Sequence, residues 1–143
     1  MQIIFIIQIP EPIQNKHTEI SWVLSLLKNR RIKEALDNSL KLSEKYPTSL
    51  SVIQLLSNAY VAMGDYQSAI NECSKLVKVD PYNPTILKTL GAIYLKNKQP
   101  QNAISTYQKI LEFLPKDAET HYKIGNAYFD KSDFTYAINN YEN

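Results

Sequence analysis

Residues able to do chemistry are few in this sequence, and they stand far apart. Cys73 is the sole thiol, and His17 and His121 are the only imidazoles. A nucleophilic or redox cysteine needs a base within hydrogen-bonding reach, and both histidines are distant from Cys73 in sequence. Neither histidine has acids or cysteines at metal-ligand spacing. A P-loop, an HExxH helix, a paired CxxC and a GxSxG elbow are all absent. Cys73 cannot close an internal disulfide, which fits a reducing, cytoplasmic setting, and it reads as a small apolar residue on a helix. The expectation is a non-enzymatic chain with no cofactor and no metal.

What the sequence does contain is a period. Ala35, Ala69, Ala103 and Ala137 follow one another at a constant step of 34 residues, and Pro47, Pro81 and Pro115 keep the same step. So do Tyr60, Tyr94 and Tyr128, with Leu26 in the earliest matching place. Gly91 and Gly125 are also one period apart, and Ser57 and Val23 occupy the upstream equivalents. Repetition at about 34 residues is the signature of a helix-turn-helix array. The frame divides the chain into units 16–49, 50–83, 84–117 and 118–143, the last one truncated.

Each unit splits into two amphipathic helices. In the third, Leu87, Leu90, Tyr94 and Leu95 recur at three- and four-residue spacing, then Ala103, Ile104, Tyr107, Ile110 and Leu111 do the same. That is one apolar stripe per helix. Gly64 suits a left-handed helix end, Asp65 and Asp133 suit N-caps, and Pro100 suits a first turn that needs no N–H. Prolines 47, 81 and 115 end the second helices, and Asn83 and Asp117 cap the next first helices. Ala103 and Gly91 are small enough to let two helices cross closely, with tyrosines and leucines filling the space around them.

Composition agrees with a folded interior, at 44% hydrophobic and 21% charged residues in 143. The formal charge is +2 and the cations are interleaved with acids, so no nucleic-acid footprint is expected. The apolar run from Ile3 to Ile7 is far too short to span a membrane, which takes about 20 residues. It also lacks the basic start and cleavage site of a signal peptide. Residues 1–15 are expected to form a mobile N-terminal arm, broken by Pro10 and Pro12.

These residues resemble the tetratricopeptide repeat (TPR) family. His121, Ile124, Gly125, Tyr128, Ala137 and Tyr141 match its W-L-G-Y-A-F skeleton, with His121 in place of tryptophan. Leu87, Leu90, Gly91, Tyr94, Ala103, Tyr107 and Pro115 match it again. The second unit has Ser57 for the glycine and Cys73 for the aromatic. The first keeps Trp22, Leu26, Ala35 and Pro47 but departs at Val23 and Ser39. The resemblance covers about residues 16 to 143.

It implies an all-α fold, a right-handed α-solenoid of antiparallel helix pairs with about four units. It further implies a scaffold that binds a partner peptide or helix in a concave groove lined by first helices. On that implication the groove candidates are Gln54 and Asn58; Thr85, Lys88 and Ala92; and Glu119, Tyr122, Asn126 and Asp130. Asn58 and Asn126 hold equivalent places, where amides could bond an extended backbone. A family subset clamps the terminal carboxylate of chaperones. The aligned positions here are Gln54, Asn58, Thr89, Glu119 and Lys123, and Glu119 would repel a carboxylate. Partners are expected to be proteins or peptides, with no nucleic acid and no membrane.

Because Asn143 interrupts the last second helix, the sequence reads as part of a longer array. Ile138 and Tyr141 would then lack a covering neighbour, and self-association through that truncated helix is a further expectation. The alternative is the repeat region of a larger enzyme, O-GlcNAc-transferase-like or sulfotransferase, that recruits its protein substrate.

Overall fold

A computed structural model describes residues 15–130 and 140–142. Apart from the two residues Asn140 and Tyr141, its regular structure is seven helices: α1 (Lys16–Lys28), α2 (Ile32–Lys45), α3 (Leu50–Met63), α4 (Tyr66–Val79), α5 (Pro84–Lys96), α6 (Pro100–Phe113) and α7 (Ala118–Asp130). Among the described residues there is no strand. The first helices open at Lys16, Leu50, Pro84 and Ala118, one period apart each time. The expected arm at 1–15 lies outside the described residues except for Asn15, which caps α1 by accepting from the Thr18 N–H at 3.0 Å. The expectations for Asp133, Ala137 and Ile138 also lie outside them.

Contacts divide the chain into two compact units, 1–63 and 64–143. In the first, α1, α2 and α3 all pack on one another around Val23, Leu26, Ala35, Leu42, Val52 and Leu55. In the second, α4 to α7 pack each on the next, and Leu87, Ala103, Ile104, Tyr107, Ile110, Ile124 and Ala127 form a core. Ala35, Ala69 and Ala103, the periodic alanines, are each 0% exposed. No larger side chain would leave these helices at their present separation.

Helix ends follow the local chemistry closely. Asp65 accepts from Ser68 N–H at 3.1 Å, Asn83 from Thr85 N–H at 3.0 Å, and Asp117 from Thr120 N–H at 3.1 Å. Pro100 stands in the first turn of α6. The second helices α2, α4 and α6 end at Lys45, Val79 and Phe113, each two residues before a proline.

Among the described residues, the three turns inside helix pairs have one left-handed residue each: Arg30 (φ 61°), Gly64 (φ 81°) and Lys98 (φ 56°). At the first and third of these, the 6→1 bond of a Schellman motif closes the turn. Arg31 N–H donates to the Leu26 carbonyl at 2.9 Å, and Gln99 N–H donates to the Tyr94 carbonyl at 2.8 Å. Glycine adopts this backbone freely, whereas a residue with a Cβ is disfavoured there by about 1 kcal/mol. Arg30 therefore sits where the backbone favours glycine. The next residue departs too. Asp65 caps α4, but Arg31 at the start of α2 makes no side-chain cap bond, forgoing about 1 kcal/mol.

Glycine has a different purpose inside the helices. A Cβ on Gly91 would lie 2.5 Å from Tyr107 Cζ, and one on Gly125 would lie 2.6 Å from Tyr141 Cε1. Tyr107 and Tyr141 each set ring atoms against the bare backbone of a first helix. Two periods upstream, inside the first unit, the matching positions hold Val23 and Ser39, both buried. There a larger first-helix residue goes with a smaller second-helix one.

Candidate protein-binding surface

The outward faces of the first helices carry the candidate residues. On α3, in the first unit, Gln54 and Asn58 are one helical turn apart, and Gln54 Nε2 donates to Asn58 Oδ1 at 3.0 Å. The pair is fixed in orientation, and the Asn58 Nδ2 donor has no partner among the described residues. Val52, Leu55 and Leu56 are buried, which leaves Asn58 exposed.

In the second unit, α5 presents Thr85 and Lys88, and α7 presents Glu119, Tyr122, Asn126 and Asp130. Lys88 Nζ reaches Glu119 Oε2 at 2.6 Å and Asp117 Oδ2 at 3.0 Å, while Lys123 Nζ stands 3.6 Å from Glu119 Oε1. The bond to Glu119, then that to Asp117, holds the Lys88 ammonium above the usual lysine range. The Thr120 hydroxyl, followed by Lys88, holds the Asp117 carboxyl below the carboxylate range, and Lys88 does the same for Glu119. Lys88 is accordingly half-buried and already paired, so it orders the α5–α7 contact as well as facing outward. Asp117 is absent from the expected set. Its N-cap role is visible in the sequence, but its second role as a Lys88 partner depends on how α5 and α7 pack.

Further along α7, Tyr122 lies against Tyr141 with ring centroids 5.5 Å apart, and the Tyr141 hydroxyl donates to Asn126 Oδ1 at 2.5 Å. Tyr141 is 44% exposed, yet it packs on its own unit through Gly125, Tyr122 and Asn126. Both candidate amides thus spend their oxygen inside the protein. Ala92 stands half-buried on α5, and Thr85 is exposed, its carbonyl accepting from the Thr89 hydroxyl at 2.9 Å. Asp130 is set apart from the others and lines a cavity of about 340 Å³ with Leu95, Lys98 and Pro100.

Cys73 is 0% exposed, and burial pushes its thiol up to about 11. His121 bonds the Pro115 carbonyl through Nε2 at 2.9 Å. Among the described residues no group of His, Cys, Asp or Glu is placed to hold a metal. No described helix is long and apolar enough to cross a membrane. A carboxylate clamp finds no support in these contacts, since Glu119 and Asp117 neutralise Lys88 and Thr89 turns its hydroxyl to its own helix.

Tandem helix pairs on a 34-residue step, with glycine under tyrosine at the crossing, define a tetratricopeptide repeat protein. The family described as Psidin, N-terminal TPR repeats region, matches residues 20–139, and the chain belongs to it. No curated protein matches the sequence. Among solved structures, MamA MSR-1 is similar at a TM-score of 0.76 and 16% identity, covering 94% of this chain and 77% of its own. Another crystal structure of MamA gives 0.76 and 20%, covering 92% and 77%. MamA from Desulfovibrio magneticus RS-1 gives 0.73 and 22%, covering 87% and 70%. These likenesses show the all-α TPR fold.

Proposed function

We propose that this chain is a protein-interaction scaffold that takes up a peptide segment or helix of a partner on the outward faces of its first helices. Gln54 and Asn58 serve on α3, and Thr85, Lys88, Glu119, Tyr122, Asn126 and Asp130 serve in the second unit. The observation that carries this reading is the ordered polar surface of α5 and α7. Lys88, Glu119 and Lys123 are locked into one ion-pair chain, beside the exposed ring of Tyr122. Such a surface is preorganised, so a ligand meets side chains whose freedom is already spent. The reading is non-catalytic and cytoplasmic: the sole cysteine is unpaired, buried and held as a thiol. Tyr122, Phe129 and Tyr141 are 59%, 56% and 44% exposed, and self-association through this end of the second unit belongs to the same proposal.

A peptide array selected against the whole chain tests it. Binders should weaken about fivefold or more, roughly 1 kcal/mol, with Asn58→Ala or Tyr122→Ala at unchanged thermal midpoint. Lys109→Ala, on the exposed side of α6, should leave them alone. Binders indifferent to the α3 and α7 variants would refute the assignment. Sedimentation that stays monomeric at high concentration would remove the self-association.

A further inference from the structure

Cations are not evenly spread along this chain. Lys28, Arg30, Arg31 and Lys33 fall within six residues at the α1–α2 turn, and Arg30 and Arg31 are the only arginines in the sequence. With Glu34 included the turn carries a net +3, more than the +2 of the entire chain. Arg31 gives Nε and Nη2 to the two Glu34 oxygens at 2.8 and 2.6 Å. Lys28, Arg30 and Lys33 make no ion pair among the described residues.

The same two arginines occupy places where the backbone favours other residues. Arg30 holds the left-handed position that Gly64 fills one period later, and Arg31 holds the N-cap position that Asp65 fills. Lys98 and Gln99 make the same two departures two periods on; what sets the first turn apart is that its two residues are both arginines. They also line a concavity of about 470 Å³ with Lys33, Glu34, Ala62 and Met63. Met63 is 42% exposed, so the pocket has one cationic wall and one apolar wall.

We infer that this pocket docks an acidic segment of a protein partner: a carboxylate against Arg30 with Lys33 beside it, and the neighbouring apolar side chain against Met63 and Ala62. The planar fork of arginine matches a carboxylate in two parallel bonds, which lysine cannot provide. Glu34 holds the Arg31 fork in place, leaving Arg30 and Lys33 to meet the incoming charge. A nucleic acid would call for a longer basic track and would gain nothing from the apolar wall. Its apolar wall continues the α3 face one turn beyond Asn58, and its cationic wall is the α1–α2 turn, which the function proposed above does not use.

The probe is a fluorescein-labelled peptide, Ser-Asp-Glu-Leu-Asp-Glu-Leu-Ser, compared by anisotropy with its Asn/Gln counterpart. The expected result is saturable binding of the acidic peptide, weaker by about tenfold or more for the amide version. The double variant Arg30→Gly/Arg31→Asp rebuilds the turn of the following unit. It should bind about tenfold more weakly while its thermal midpoint holds or rises, so loss of fold cannot imitate the effect. Lys75→Gln/Lys78→Gln/Lys109→Gln removes the same net charge elsewhere and should leave binding unchanged. Full binding by the double variant, equal loss in the triple variant, or preference for a single-stranded oligonucleotide of equal charge would each overturn the proposal.

Discussion

Gly91→Ala would set a methyl carbon 2.5 Å from Tyr107 Cζ and 2.9 Å from Cδ1, well inside the ~3.5–4 Å at which carbons rest. Tyr107 is 1% exposed and shares its core with Leu87, Ala103, Ile104 and Ile110, so the ring has nowhere to retreat. Overpacking of a filled core costs about 1–3 kcal/mol, and this enclosed contact belongs at the upper end. Against it stands the helix preference for alanine over glycine, worth about 1 kcal/mol. The net expectation is a loss of about 1–2 kcal/mol. The decisive comparison uses Tyr107→Cys, the residue found one period upstream. That variant alone should lose about 3–4 kcal/mol through the cavity it leaves. In its background the ring is gone, and Gly91→Ala should become neutral or stabilising by up to about 1 kcal/mol. Urea denaturation of all four proteins, followed by far-UV circular dichroism, reads the coupling. Hydrogen exchange of the α5 amides checks that the loss is local. Equal effects of Gly91→Ala in both backgrounds would refute the account of why glycine stands there.

Gly64→Ala meets open space but keeps φ 81°, so it should cost about 1 kcal/mol from backbone alone, and Lys98→Gly should gain a similar amount; denaturation midpoints that move the other way would contradict this. Cys73, with its thiol pushed up to about 11, should resist a thiol reagent at mildly alkaline pH in the folded protein and react at once in urea; prompt labelling of the native chain would mean the residue is not enclosed. Asp117 and Glu119 have folded pKa values below their unfolded ones, so the native state binds fewer protons. Their contribution is present above the ordinary carboxylate range and is lost as acid takes the pH down through the lowered folded values. Thermal midpoints should therefore fall in acid, less steeply in Lys88→Met and in high salt, and identical profiles for wild type and Lys88→Met would deny Lys88 that role.

Much of the fold is legible in the sequence because the repeat states each instruction several times. Pro47, Pro81 and Pro115 announce three helix ends, and Asn83, Asp65 and Asp117 announce caps that the structure makes. The left-handed Arg30 and Lys98 are not legible, because neither residue type advertises positive φ. Only their register with Gly64, one period either side, gives them away. Spacing sets Lys88 off the buried stripe of α5, but its engagement by Asp117 and Glu119 joins residues whose proximity is set by helix packing, which no local pattern records. The basic turn is hidden for a compositional reason: a whole-chain sum of +2 is small and does not tell where along the chain the charge sits.

The size match between first and second helices also governs how such a chain can be recombined. Exchanging α1 for α5 would bring Val23 to the place of Gly91, opposite Tyr107, and collide; exchanging α2 for α6 would set Tyr107 against Val23 and collide as well. Exchanged as a complete pair, each first helix keeps the counterpart cut to its own dimensions. The smallest heritable module is therefore the helix pair, and viable junctions fall at the proline-marked boundaries. A gene that lengthens by duplication at those boundaries preserves every crossing; one that duplicates a single helix breaks two.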